Sequence, residues 1–297
     1  MNIGLDISGG DFAPKANVLG ALLAIQDLPE TAVLTLIGKE DEIKAVLAEQ
    51  EYNGDRISIV NAPDVITMHD HPTRAIPQKP NSSIAVGFDM LSKGQIDSFA
   101  STGNTGAMLV GAIYKVNAIP GVIRPCITSV LPIENGGSSL ILDVGTNADC
   151  KPDVLYQFAS LGSLYAQNVF GIDNPKIALL NIGEEESKGN LLTQSAFKLM
   201  KDSSDFNFVG NVEGRDLFTG KADVIVCDGF TGNVVLKQAE GLNSIIRKRG
   251  IKDDYFDRFN YENYGGTPIL GVNSDVIIGH GISNEVAVKN MVKHAFD

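Results

Sequence analysis

The chain has 297 residues, of which 43% are hydrophobic, so it can bury a large core and is predicted to fold. Its 36 acidic and 24 basic residues give a formal net charge of −12, which argues against general binding of nucleic acid. No stretch reaches the roughly 20 apolar residues of a membrane-spanning helix. The N-terminus lacks the layout of a signal peptide, and the three cysteines have no paired spacing. We therefore predict a cytoplasmic protein with reduced thiols.

Apolar runs alternate with helical patterns along most of the chain, which is typical of a parallel sheet covered by helices. The predicted strands are 3–6, 32–37, 56–60, 97–100, 126–131, 138–142, 176–181, a short one from 208, 223–227 and 275–278. The predicted helices are 14–26, 38–49, 82–93, one ending near 116, 152–169, one ending near 201, 234–248 and one from 283. Three prolines at 72, 77 and 80 predict that 63–81 is irregular and forms no helix. The sequence Asn135-Gly136-Gly137 predicts a turn between two paired strands.

These patterns predict an α/β fold of three layers, in which a mostly parallel sheet carries helices on both faces. The sequence contains no internal repeat and no low-complexity linker. Residues 1–297 are therefore predicted to form a single domain, either undivided or built as two intimately joined lobes.

Polar loops rich in Gly, Asn, Ser and Asp follow most of the predicted strands. These loops are 8–11, 101–106, 143–149, 181–189, 211–216, 228–233 and 279–283. In open α/β sheets the ligand crevice lies at the carboxyl ends of the strands, where such loops meet. Residues 228–233 stand between a buried strand and a helix, so their N–H groups and the helix dipole are expected to bind an anion. An ordinary strand-to-helix turn is the alternative.

Familiar cofactor motifs are absent from the sequence. It has neither the glycine fingerprint of dinucleotide sites nor a P-loop, and no HExxH motif or cysteine pair for zinc, so we predict no cofactor and no metal. His69 and His71 flank Asp70, and a metal site there is possible in principle. No further ligand stands at a recognised spacing, so an exposed loop is favoured. Cys150 or Cys227 could carry an acyl group, although inert core thiols are favoured.

Several long motifs resemble the bacterial phosphate acyltransferase family, PlsX. They are GGD at 9–11, STGNTGA at 101–107, LDVGTN at 142–147, DCKP at 149–152, NIGEEESKG at 181–189, FVGNVEGRD at 208–216, ADVIVCDGFTGNVVLK at 222–237, YGGTPILGV at 264–272 and HGIS at 280–283. The resemblance implies transfer of a fatty acyl group from acyl carrier protein to inorganic phosphate, giving acyl phosphate for phospholipid synthesis. It also implies a homodimer whose fold is related to isocitrate and isopropylmalate dehydrogenases and to phosphotransacetylase.

The chain departs from this family in two places. Ser8 and Phe12 stand where relatives commonly have Met and His, so a catalytic role for that histidine does not apply here. Relatives usually carry a longer apolar hairpin where this chain has the short, polar segment 241–265. A weak peripheral contact with the inner face of the membrane is therefore left open.

Direct attack by phosphate on a thioester requires anion binding, alignment and donors aimed at the developing oxyanion. The residues predicted to be catalytic are Asn104, Lys188, Asp228 and Asn233. Those predicted to bind phosphate are Lys79, Ser101, Gly103, Thr105, Arg215, Thr231 and Gly232. Glu185 is an alternative to Asp228 for orienting a ligand, and a structural ion pair with Glu213 is the alternative role for Arg215.

A basic cluster closes the last predicted long helix before the polar segment. Because acyl carrier protein is acidic, we predict that it docks on Arg247, Lys248, Arg249 and Lys252. The alternative is a basic helix C-terminus, favourable to the helix dipole and closed by Gly250.

Two other functions remain possible from the sequence. One is a phosphotransacetylase-type transfer from an acyl-coenzyme A, which would use the same anion-binding loops. The other is a non-catalytic scaffold for lipid-synthesis partners, against which the many convergent polar loops argue.

Overall fold

The computed structural model describes residues 1–297, and strands alternate with helices along most of them. The strands are β1 (Asn2–Asp6), β2 (Val33–Gly38), β3 (Ile57–Asn61), β4 (Ser98–Ser101), β5 (Cys126–Pro132), β6 (Ser138–Leu142), β7 (Lys176–Leu180), β8 (Asn207–Val212), β9 (Val224–Val226), β10 (Thr267–Leu270) and β11 (Asp275–Ile278). The α-helices are α1 (Lys15–Asp27), α2 (Glu40–Glu49), α3 (Pro72–Gln78), α4 (Ser83–Ser92), α5 (Thr105–Gly111), α6 (Pro152–Phe170), α7 (Leu191–Met200), α8 (Gly229–Lys248), α9 (Asp254–Asp257) and α10 (Glu285–Phe296).

The chain divides into two units, which we call unit 1 (Met1–Ile119 with Tyr261–Asp297) and unit 2 (Pro120–Asn260). In unit 1 the strand order is β3-β2-β1-β4-β11-β10, and only β10 runs antiparallel to its neighbour. In unit 2 the order is β5-β6-β9-β7-β8, and only the β5–β6 pair is antiparallel. The predicted mostly parallel sheet is confirmed within each unit, and the boundary of a single domain stays a prediction.

Alternation along β1 sends side chains to both faces of the sheet in unit 1. Ile3 and Leu5 are fully buried in a core that includes residues of α1, α2 and α10. On the other face, a Cβ atom at Gly4 would lie 3.3 Å from the ring of Phe99, which contacts Phe88 of α4 edge to face at 5.2 Å between ring centroids. Helices therefore cover both faces, and the polar loops are left at the carboxyl edge.

The core of unit 2 is formed by the buried strands β6, β7 and β9. Helix α6 approaches them at Gly162, where a Cβ atom would lie 2.6 Å from Cγ1 of Val224. The predicted hairpin is also confirmed, because β5 and β6 are antiparallel and Gly136 and Gly137 both have positive φ in the connecting turn. Glycine adopts such angles without steric cost, which explains why the turn was readable from the sequence.

Two predictions of secondary structure were wrong, and each has a physical reason. Residues 72–78 form helix α3 despite their prolines, since Pro72 occupies the first turn, where no N–H partner is needed. Pro77 lies inside the helix but only one residue before its last residue, Gln78. Helix α8 begins at Gly229 instead of 234, because the side chain of Asp228 accepts a hydrogen bond from the N–H of Thr231 and caps the helix. The small polar residues that suggested a loop are the first turns of the helix.

The short segment after α8 is less polar in structure than its sequence suggests. Its aromatic side chains Tyr255 and Phe259 lie 5.4 Å apart between ring centroids, and Phe259 contacts Phe218 at 5.5 Å. Arg258 donates hydrogen bonds to the carbonyl oxygens of Ile133 and Gly137, at 3.0 Å for the first, which fixes the segment on the β5–β6 hairpin. None of the helices has both the length and the hydropathy needed to cross a bilayer.

Candidate functional site

A buried carboxylate organises the loops at the carboxyl edge of unit 1. Asp6, the last residue of β1, accepts hydrogen bonds from the N–H groups of Ser8 and Gly9 at 2.9 and 3.2 Å. Its second oxygen accepts the hydroxyl of Ser101 at 2.6 Å, and that hydroxyl accepts the N–H of Gly103 at 2.9 Å. Burial raises the pKa of Asp6, although the Ser101 hydroxyl acts in the opposite direction. Ser101 and Gly103 are thus held together beside Asp6, and their binding of phosphate stays a prediction.

Glycine is required where the first two loops of unit 1 touch. A Cβ atom at Gly9 would lie 2.6 Å from the backbone nitrogen of Gly103, so any side chain would force the loops apart. This contact brings the two polar loops 8–11 and 101–106 side by side. The N–H groups of Ser8, Gly9 and Gly103 are used by Asp6 and Ser101, so the other N–H groups of the two loops are the ones left for an anion.

Asn104 is buried and caps α5, with all of its side-chain groups used by the protein. Its amide oxygen accepts the N–H of Ala107 at 3.0 Å. Its amide nitrogen donates to the carbonyl oxygens of Thr67 and Asp70 at 2.9 and 3.2 Å. Asn104 therefore ties loop 67–70 to the start of α5, while the neighbouring Thr105 is exposed.

Lys79 reaches the same loop from the end of α3. Its ammonium group donates to the carboxylate of Asp70 at 2.6 Å and to the carbonyl oxygen of Val65 at 2.8 Å. The hydrogen bond from Lys79, followed by that from the N–H of Thr67, lowers the pKa of Asp70 to about 2. Lys79 and Asn104 thus share one cluster, and the charge of Lys79 is balanced by Asp70.

Unit 2 contains a second buried carboxylate in an equivalent position, directly after β6. One oxygen of Asp143 accepts the N–H groups of Ile127 and Thr146 at 3.1 and 3.3 Å. The other accepts the N–H and the amide of Asn147 at 2.6 and 2.9 Å. Loop 143–147 is therefore held in a fixed shape around a charge that has no exposure to solvent.

The start of α8 packs directly on that loop. The N–H of Gly229 donates to the carbonyl oxygen of Asn147 at 2.8 Å. A Cβ atom at Gly232 would lie 2.0 Å from the carbonyl oxygen of Asp143, so only glycine permits this approach. The carboxylate of Asp228 accepts both the N–H and the hydroxyl of Thr231 at 2.8 Å. Asp228, Thr231 and Gly232 thus meet around the helix N-terminus.

Asn233 completes this cluster from the second turn of α8. It is half-buried, and its amide donates to the carbonyl oxygen of Val144 over a long 3.4 Å. Gly145 has φ of +120°, and a Cβ atom there would lie 2.8 Å from the amide nitrogen of Asn233. Because this single protein contact is long, the amide retains capacity to donate to a ligand.

The three remaining residues predicted in unit 2 are exposed charges. Lys188 is exposed on loop 181–189, as is the alternative Glu185. The side chain of Arg215 is 74% exposed and forms an ion pair with Glu213 at 3.1 Å. This is the ion pair expected as the alternative role of Arg215. Such an exposed pair contributes little to stability, so Arg215 stays available to a ligand.

Sequence reasoning missed Asp6, Asp143 and Asn211 as residues that shape these loops. Asn211 is buried, and its amide donates to the carbonyl oxygens of Glu184 and Glu185, while its own oxygen has no partner in the protein. A signal was present for the aspartates, because each follows an apolar strand immediately before a glycine-containing loop.

The cysteines are poor nucleophiles in this structure. Cys227 is buried, and its pKa is raised well above the usual range by burial. Cys150 is half-buried, and burial, with the nearby charges of Asp143 and Asp228, raises its pKa to about 11. A thiol with such a pKa is almost entirely protonated near neutrality, so the structure favours the interpretation of both as inert.

The basic cluster at the end of α8 is fully accessible. Arg247, Lys248, Arg249 and Lys252 are all exposed. The helix ends as expected for a basic C-terminus closed by Gly250, since Arg249 is the C-cap and Gly250 has φ of +68°. Helix closure uses the backbone of these residues, so their side chains remain available for a partner.

The comparisons with known proteins agree along the whole chain. A model of the family described as "Fatty acid synthesis protein" matches residues 1–297. The chain is 45% identical to a phosphate acyltransferase of Dictyoglomus thermophilum, over 99% of this chain and 93% of that protein. It is 43% identical to a phosphate acyltransferase of Syntrophomonas wolfei, over 100% and 94% of the two chains.

Solved structures show that the fold is shared more widely. A phosphotransacetylase from Streptococcus pyogenes superposes with a TM-score of 0.69 at 17% identity, over 99% of this chain and 92% of that one. A branched-chain phosphotransacylase from Enterococcus faecalis V583 gives a TM-score of 0.66 at 14% identity, over 100% and 98%. At this identity the likeness concerns the fold alone.

Proposed function

Because the chain belongs to this family of fatty acid synthesis proteins, we propose that it transfers the acyl group of acyl-[acyl carrier protein] to inorganic phosphate. The observation that carries the proposal is 45% identity to a phosphate acyltransferase over nearly the whole chain. The protein is accordingly an acyltransferase of lipid synthesis. The products are acyl phosphate, a precursor of phospholipids, and the free carrier protein.

The reaction balances without any further reactant. A phosphate oxygen attacks the thioester carbonyl carbon, the C–S bond breaks after the C–O bond has formed, and the thiolate takes up a proton as it leaves. Phosphate is already nucleophilic near neutrality, so the main requirements are alignment and stabilisation of the oxyanion. Loops dense in backbone N–H groups, such as those around Asp6 and Asp143, are suited to both.

We assign the predicted residues to these requirements by cluster. In unit 1, Thr105 offers its hydroxyl to phosphate and Lys79 offers the remaining donor of its ammonium group. Ser101, Gly103 and Asn104 fix the loop that presents Thr105. In unit 2, Asn233 donates to phosphate or to the oxyanion from the start of α8, where Thr231 and Gly232 contribute to anion binding.

The charged residues of unit 2 have supporting roles in the proposal. Asp228 orients the first turn of α8 through Thr231. Lys188 and Arg215 supply positive charge from exposed positions.

The decisive experiment is incubation of the purified protein with palmitoyl-[acyl carrier protein], with and without phosphate. We expect phosphate-dependent release of thiol together with acyl phosphate, trapped as the hydroxamate. Absence of both products would overturn the proposal. Parallel reactions with palmitoyl- and acetyl-coenzyme A test the phosphotransacetylase alternative. Faster turnover of acetyl-coenzyme A than of palmitoyl-[acyl carrier protein] would establish that alternative.

The residue assignment has its own test. Asn233→Ala is expected to lower kcat about a hundredfold, the loss typical of one oxyanion donor. Asn104→Ala is expected to lower kcat by releasing the loop 67–70 and the start of α5 that its side chain holds. Asn168→Ala is the matched control, because Asn168 is exposed on α6 and donates only to the carbonyl oxygen of Leu164. Unchanged turnover in both test variants would show that the residue assignment is wrong.

We also propose a homodimer and, from the resemblance, a weak peripheral contact with membranes. Light scattering of the eluted protein gives the oligomeric state, and a monomer across the working concentration range would contradict the first part. Co-sedimentation with vesicles of phosphatidylglycerol tests the second, and protein that remains wholly in the supernatant would contradict it.

A further inference from the structure

A long apolar groove lies on unit 1 outside the clusters described above. Its volume is about 980 Å³. It lies between the end of β3, helix α3 and helix α4, and its apolar lining includes Val60, Ile76, Pro80, Ala85, Val86 and Met90. Neither the candidate anion-binding residues nor the basic cluster explains this surface.

One end of the groove adjoins the cluster of Asp70, Lys79 and Asn104. Helix α3 connects the two, because Ile76 lines the groove and Lys79, three residues later, donates to Asp70. Three residues of helix advance by about 4.5 Å, so Ile76 lies within one turn of the backbone of Lys79. The other end of α3 lies against α5, since a Cβ atom at Gly106 would meet Cγ of Pro72 at 2.4 Å.

The shape of the groove follows helix α4. Ala85 and Val86 belong to its first turn, Met90 lies one turn further on, and Gln95 follows the helix end. The ten residues of α4 span about 15 Å, so the groove accepts a narrow, extended ligand. The lining also includes the polar residues Asn81, Asp89, Gln95 and Lys115, and Lys115 approaches Asp89 at 3.9 Å.

We propose that this groove binds the acyl chain of the thioester donor and sets the chain-length preference. The inference rests on the proposed function, because a long-chain acyl donor requires an apolar site for its chain. A linear alkyl chain suits a groove with mainly apolar walls that is about as long as α4. Each methylene that enters is expected to strengthen binding about fourfold.

A binding experiment tests the groove without catalysis. The intact protein is titrated with cis-parinaric acid, a fluorescent fatty acid, and compared with Met90→Trp and Val86→Phe, which fill the groove at two points. Ser92→Trp is the matched control, since Ser92 is exposed on α4 and outside the lining. We expect the Kd for the probe to rise at least tenfold in both groove variants and to stay unchanged in the control. A tenfold rise corresponds to the loss of about two buried methylene groups. Equal binding by all four proteins, each shown folded by thermal melting, would overturn the proposal.

Kinetics with donors of graded chain length separate this inference from the proposed function. Val86 and Met90 are about 6 Å apart along α4, so Val86→Phe should exclude shorter chains than Met90→Trp does. Short donors should be unaffected in both variants. If the wild type forms acyl phosphate but both variants lose activity equally at every length, the groove assignment fails. If the wild type forms no acyl phosphate yet binds the probe in the groove, the proposed function fails and the groove stands.

Discussion

The carboxylate of Asp70 accepts a hydrogen bond of 2.6 Å from the ammonium group of Lys79. This pair stands between two parts of unit 1: the loop held by Asn104 and the helix α3 that borders the apolar groove. Lys79 is the largest cause of the low pKa of Asp70, about 2 against an ordinary value of 3.8. Because a lowered carboxyl pKa favours the charged form in the folded state, the pair couples folding to pH.

We expect Lys79→Met to lower the free energy of unfolding near neutrality and to lose this effect in acid. The stabilisation is complete above the ordinary pKa of 3.8 and is lost as the pH falls toward the folded value of about 2. Urea unfolding over this range should therefore show wild type and variant converging as the pH drops. Lys93→Met, which breaks an exposed pair with Asp89, is the control and should have a smaller effect. A difference that is constant with pH would contradict the interpretation.

Gly145→Ala should lower turnover by displacing Asn233. The new Cβ atom would lie 2.8 Å from the amide nitrogen of Asn233, in addition to the strain of φ at +120°. Gly136→Ala separates the two effects, because Gly136 has φ of +90° and nothing within 4 Å of a Cβ atom. Both variants are expected to lose about 1 kcal/mol of stability through backbone strain, measured by urea unfolding. Only Gly145→Ala should lower kcat, and an equal loss in both would remove Asn233 from the proposal.

The Cys150→Ser, Cys227→Ser double variant should retain full activity. A pKa of about 11 leaves Cys150 protonated under assay conditions, and Cys227 is buried. Alkylation of the wild type by iodoacetamide should be slow near neutrality and should accelerate as the pH approaches 11. Loss of activity in the folded double variant, with a trapped acyl-thioester in the wild type, would instead establish the covalent route.

Charge reversal at Arg247 and Arg249 should raise KM for the carrier-protein substrate while leaving kcat unchanged. Both side chains are exposed, and electrostatic docking acts mainly on encounter. The effect should shrink at high ionic strength, because salt screens exposed charges. A double variant with Lys151→Glu and Lys198→Glu makes the same change in net charge at exposed sites elsewhere. Equal KM values in the two double variants would leave only the helix-closing role.

The sequence predicted the fold best where local chemistry and tertiary structure agree. The turn at Gly136 and Gly137 was readable because only glycine adopts those angles easily. The start of α8 was placed too late because Gly, Thr and Asn after a strand suggest a loop, whereas the cap by Asp228 recruits them into the helix. Helix α3 was missed because Pro72 stands in its first turn, where proline is tolerated, and Pro77 stands one residue before its end, so the prolines bound a short helix.

The sequence predicts which loops form the candidate site, but it predicts only part of how their side chains are arranged. The sequence predicts Asn104 as a ligand, whereas in the structure its amide fixes loop 67–70. One acceptor there, the carbonyl oxygen of Asp70, is 34 residues away in sequence, and no local pattern indicates that contact. The organising roles of Asp6 and Asp143 depend likewise on donors from other strands. The groove along α4 was not foreseen, because its lining comes from three separate elements whose apolar residues read as ordinary core.

The path of the chain through the two units has a consequence for its synthesis. Unit 1 begins with Met1–Ile119 but needs β11, which pairs with β4 inside its sheet, and α10, which packs on the core beneath β1. Unit 2 is one uninterrupted segment, so it emerges from the ribosome whole while the first segment of unit 1 still exposes an unpaired strand edge. We therefore expect newly made chains to depend on chaperones until β11 and α10 are released, and removal of these two elements to cause aggregation.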